Sequence, residues 1–89
     1  MDTGYWLNLT EGPGGCIEYK GAVPGISGKS IPYRVRIWRD GKQRHSIPHV
    51  TNCYGQNCCS GTVKSVPGTW QAFAQGRGIN VSSLLLRVD

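Results

Sequence analysis

Apolar and polar side chains take turns along residues 31–38. Ile31, Tyr33, Val35 and Ile37 fall on one side, and Pro32, Arg34, Arg36 and Trp38 on the other. That is the period of a strand with one buried face. Shorter runs rich in β-branched and aromatic residues lie at 5–9, 16–23, 43–47, 61–66, 69–74 and 80–88, and the run at 31 extends to 39. Nothing in the chain carries apolar residues at uninterrupted i, i+3, i+4, i+7 spacing, so no helix is predicted. Turn residues punctuate the runs: Gly12-Pro13-Gly14-Gly15, Pro24-Gly25, Asp40-Gly41, Pro67-Gly68 and Gly76-Arg77-Gly78,. Asp40-Gly41 predicts a two-residue hairpin of the primed type, whose twist matches that of the strands. Pro67-Gly68 predicts a second hairpin between 62–66 and 69–73. The stretch 48–60 is expected to be a long loop. The pattern as a whole reads as an all-β domain of about six strands, with Pro32 placing the strand 31–39 at a sheet edge, open to strand addition.

Size sharpens this picture. The 89 residues allow one domain,, read as a partly flexible N-terminal extension over 1–14 and a single sandwich domain over 15–89. Leu, Ile, Val and Phe number 19 of 89, near the lower limit for a core, so additional staples are expected. The longest apolar run is Leu84 to Leu86, too short for a transmembrane helix, and no membrane role is expected. No hydrophobic leader follows Met1. Four cysteines in a short, glycine-rich chain nevertheless favour a secreted protein over a cytosolic one.

Cys16, Cys53, Cys58 and Cys59 allow three pairings. The one with a vicinal Cys58–Cys59 bridge is strained. Joining Cys16 to Cys58 and Cys53 to Cys59 would tie the first core strand to the long loop; the larger loop spans 43 residues, and its closure would restrict the unfolded chain by ~4 kcal/mol. Zinc is the competing use of these thiols, but adding His45 and His49 yields no recognised ligand spacing. Neither a metal nor another cofactor is expected.

Charge is concentrated. Arg34, Arg36, Arg39, Lys42 and Arg44 place five of the ten cations within eleven residues, with Asp40 the sole acid there. Three uses compete: a solvated hairpin that keeps an edge soluble, a face for an acidic protein partner, and a nucleic-acid platform with Trp38 and Tyr33. Arg34, Arg36, Trp38, Arg39, Lys42 and Arg44 are the candidate partner-binding residues. A catalytic set can be assembled from Glu18, His45, His49 and Arg77 on the pattern of a small ribonuclease, but the long helix of that fold is missing, and no enzymatic activity is expected. Trp6, Trp38 and Trp70 would suit a carbohydrate platform, although aromatics also supply buried area in a thin sandwich. Asn8-Leu9-Thr10 and Asn80-Val81-Ser82 fit the glycosylation acceptor pattern,.

The stretch Cys16-Ile17-Glu18-Tyr19-Lys20-Gly21-Ala22-Val23-Pro24 resembles the opening strand of the MAX effectors, small secreted fungal proteins. Tyr33-Arg34-Val35-Arg36-Ile37 resembles their second strand, with its Val-Arg-Ile triplet, and Gln56-Asn57-Cys58 looks like the site of the second family cysteine. The resemblance covers roughly residues 15–66. Cys53, Cys59 and residues 1–14 depart from the pattern. The resemblance implies a disulfide-stapled six-stranded β-sandwich of two three-stranded antiparallel sheets. It also implies a monomeric virulence or avirulence protein, delivered into host plant tissue or cytoplasm, that binds a plant protein or an immune receptor domain. Heavy-metal-associated domains are among the targets of such proteins. Arg36 takes the place of the triplet's arginine and is the first contact the resemblance implies.

Overall fold

The computed structural model describes residues 6–23, 30–51 and 57–89, with backbone alone at 57 and 58. All regular structure among them is β, in eight strands: β1 (Trp6–Gly12), β2 (Cys16–Val23), β3 (Pro32–Arg39), β4 (Lys42–Val50), β5 (Asn57–Lys64), β6 (Gly68–Gly76), β7 (Ile79–Ser82) and β8 (Leu86–Val88). They form two antiparallel sheets, one in the order β1-β2-β5, the other β4-β3-β6-β7 with β8 also on β6. The expected two three-stranded sheets are therefore one of three strands and one of five. One reason is that 80–88 is not a single strand. Ser83 interrupts it, because its hydroxyl accepts the Ala72 N–H and donates to the Leu84 carbonyl, each at 2.9 Å.

Alternation decides what is buried. Tyr33, Val35 and Ile37 of β3 face inward as expected, at 4%, 0% and 0% exposure. They join Leu7, Leu9, Ile17, Tyr19 and Val63 of the three-stranded sheet and Trp70, Ala72, Ala74 and Ile79 of the five-stranded sheet in one cluster. The two sheets thus share one core, in the manner of a sandwich. Leu7 and Leu9 belong to the segment expected as an extension, of which residues 6–12 are a sheet strand; residues 1–5 lie outside the described residues.

The Asp40-Gly41 hairpin forms as predicted, with φ of 53° and 78° at its two central residues. Pro67-Gly68 does not form one. β5 and β6 lie in different sheets, and the chain crosses between them there. Trp70 closes this corner, its Nε1–H donating to the Val66 carbonyl at 2.9 Å.

Three further expectations change. β3 is flanked by β4 and β6 and is not an edge; the edge is β4, and exposed Pro48 marks it,. The expected loop 48–60 gives residues 48–50 to β4 and 57–60 to β5. Finally, β2 and β5 pair with Cys16 opposite Lys64 and Cys58 opposite Ala22. That sets Cys16 and Cys58 six residues apart along the ladder, roughly 20 Å, whereas a bridge needs Cα atoms within ~7 Å. A Cys16–Cys58 disulfide is incompatible with this register. No disulfide joins two described residues: Cys16 is a half-buried thiol, Cys59 is buried, and Cys53 lies outside the described residues.

Candidate binding face

The outward side of the five-stranded sheet follows from the same alternation. On β3 it carries Arg34, Arg36 and Trp38. Register then places Pro48, Ser46 and Gln43 of β4 beside them on one flank, and Gln75, Phe73 and Gln71 of β6 on the other. Trp38 meets Phe73 edge to face, with ring centroids 6.3 Å apart, a favourable aromatic arrangement.

A groove of about 430 Å³ opens here, lined by Trp38, Asp40, Gly41, Thr69, Gln71, Phe73, Gln75 and Leu85. Its size falls within the range of small-ligand and anchor pockets, roughly 300–1,000 Å³. One wall depends on the Ser83 interruption. That serine is buried and also takes the Gln71 Nε2–H on its carbonyl at 2.9 Å, which leaves Leu84 and Leu85 standing out at 86% and 67% exposure. Asp40 closes the other end, with Oδ1 accepting the Thr69 N–H at 2.9 Å.

The arginines beside the groove are held by neutral groups. Arg34 donates from Nε to Ser46 Oγ at 2.6 Å and from Nη2 to the Ser46 carbonyl at 3.2 Å. Arg36 donates from Nη1 to Gln43 Oε1 at 3.4 Å. Among the described residues neither is paired with a carboxylate; the carboxylate on this face, Asp40, stands at the far end of the groove.

The predicted site residues separate into groups. Arg34, Arg36 and Trp38 share the outward face. Lys42 and Arg44 are exposed on β4, Arg44 at the extra position where the β3–β4 register shifts,. Arg39 turns away: its guanidinium carbon lies 5.8 Å from the centre of the Trp70 ring, and its buried Nε, 4.0 Å from Asp40 Oδ2, makes no hydrogen bond. Of the tryptophans, Trp70 is core, Trp6 is an exposed residue of β1, and Trp38 is half-buried on the candidate face. Asn8 and Asn80 are exposed strand residues.

The acid–base set that the sequence allows does not assemble. Glu18 alternates with Tyr19 and so lies on the outer side of the three-stranded sheet,, while Arg77 sits in the β6–β7 turn. His49 faces the core, where Nε2 meets the Tyr19 hydroxyl at 2.7 Å and the ring stacks on Tyr33 at 5.5 Å. Burial lowers the His49 pKa. Burial first, and the neighbouring Cys59 second, raise that of Tyr19, which keeps the phenol protonated; the imidazole tautomer sets the direction of the bond between them. His45 pairs with Ile37 farther along β4. Among the described residues no cluster of His, Cys, Asp and Glu could hold a metal ion.

Phe73, Gln71, Gln75 and Leu85 were not foreseen in the sequence as site residues. Phe73 had a local signal: in 69–75 it falls in phase with Thr69, Gln71 and Gln75, an aromatic on the polar side of a strand. Leu85 had none, because its exposure depends on Ser83. No family model, curated protein or solved structure matches the chain.

Proposed function

We propose that the chain is a non-catalytic binding protein that takes a protein partner on the outward face of its five-stranded sheet. The supporting observation is the apolar groove between Trp38, Phe73 and Leu85, set beside Arg34 and Arg36, which lack carboxylate partners among the described residues. Aromatic and arginine side chains around a partly buried pocket are the composition of interface hot spots. Fold alone assigns no function.

The MAX effector resemblance extends the proposal to a secreted fungal effector acting on a host plant protein or immune receptor domain. That extension is supported by the short motifs of β2 and β3, since three and five strands differ from the family's three and three. Surface plasmon resonance against an immobilised plant heavy-metal-associated domain tests it. Wild-type binding lost in Arg36→Glu, with an unchanged circular dichroism spectrum and melting temperature, supports it. No wild-type binding refutes the choice of target, and an unfolded Arg36→Glu refutes the outward placement of this side chain.

A further inference from the structure

Resting on that reading, we infer that the segment this face recognises is an extended acidic peptide. It places one apolar side chain in the groove and carboxylates two and four residues farther along. The groove follows β6 from Thr69 through Gln71 and Phe73 to Gln75, a length of about 20 Å at strand spacing. The adjacent β3 row runs alongside it as Trp38, Arg36 and Arg34, one side chain every ~6.6 Å. An extended segment lying along the sheet presents every second side chain to it at the same repeat, so the two rows are commensurate.

Chemistry then sets the order of side chains. The anchor belongs between Trp38, Phe73 and Leu85, where the lining is apolar and contains no cation. The carboxylates belong at Arg36 and Arg34, which are already oriented by Gln43 and Ser46 and keep further N–H groups for a paired anion. Asp40 stands at the anchor end, so like-charge repulsion directs the acids toward the Arg34 end. Gln71 spends its amide N–H on Ser83, which leaves its oxygen to accept a peptide N–H.

Fluorescence anisotropy with labelled peptides tests the inference. One probe has a Leu-Ser-Asp-Ser-Glu core, a second the shifted core Leu-Asp-Ser-Glu-Ser, and a third the first core with serine for leucine. The first is expected to bind about tenfold tighter than either other. Arg36→Ala and Leu85→Ser should each weaken it by a similar factor, and Lys20→Ala, on the other sheet, should leave it unchanged. Equal binding of the first two peptides, both weakened by Arg36→Ala, overturns the spacing while the protein-binding face stands. Absent binding, or binding indifferent to Arg36→Ala, overturns both. Tighter binding of oligo(dT) with a steep salt dependence overturns both in favour of a nucleic-acid platform.

Discussion

The contact between the sheets at Tyr19 and His49 can be removed almost atom by atom. Tyr19→Phe deletes one hydroxyl from a side chain that is 1% exposed and leaves the His49 Nε2, 2.7 Å away, without its partner. A net hydrogen bond contributes about 0.5–1.5 kcal/mol, and a polar group stranded in a dry site costs ~1–3 kcal/mol. His49 is half-buried, so water recovers part of that loss, and the expected destabilisation is about 1 kcal/mol. A chain of 89 residues has a total stability of roughly 4–13 kcal/mol, so this fraction is measurable. It corresponds to a drop of about 4–8 °C in melting temperature. Urea unfolding followed by tryptophan fluorescence would measure it, in a double-mutant cycle with His49→Phe, which keeps a ring against Tyr33 but removes both nitrogens. The coupling should be about 0.5–1.5 kcal/mol, and Tyr19→Phe should be neutral or stabilising in the His49→Phe background. Additive losses would show that the two side chains do not share a bond.

The same histidine makes stability depend on pH. Burial holds its folded pKa below the unfolded value, so as pH falls the unfolded chain takes up a proton first. Its contribution is complete above about pH 6.5 and is lost below that, toward the lower folded value. Melting temperature should fall between about pH 7.5 and 5.5 and fall less in His49→Phe; equal slopes would refute the assignment. Gly61→Val tests the opposite side of Tyr19. Gly61 pairs with Tyr19 across β2 and β5, and a Cβ there would overlap the tyrosine ring. The ring must move, at a cost of about 1–3 kcal/mol and with the His49 bond lost. An unchanged urea midpoint would mean that the ring does not lie over Gly61.

How legible the candidate face was depended on how far each residue's partners lie in the chain. Arg34, Arg36 and Trp38 were placed on one outward side by a two-residue period, and that survives in the structure. Arg39 counts among the candidate contacts by charge clustering alone, yet it lies over Trp70, a residue 31 positions away. Pro32 suggested an edge because proline gives no N–H to a ladder; at the first position of β3 it needs none, and the edge proline is Pro48. Gly76 reads as a turn position and Gly61 as the start of a strand, but they sit under Tyr33 and Tyr19 respectively. Their role appears only when the cross-strand partner is known.

What the sequence by itself determined is local. Strand period, the buried set Tyr33, Val35 and Ile37, and the Asp40-Gly41 hairpin depend on neighbouring side chains and on φ preferences, which any short segment carries within itself. What only the tertiary structure decided is who pairs with whom. β3 gained β6 as a second neighbour, Pro67-Gly68 became a crossing between sheets, and Cys16 and Cys58 were set at opposite ends of a ladder. Backbone hydrogen bonds are nearly the same for every strand, so pairing is chosen by the fit of side chains brought together from distant parts of the chain. The groove between Trp38, Phe73 and Leu85 exists only after that choice is made.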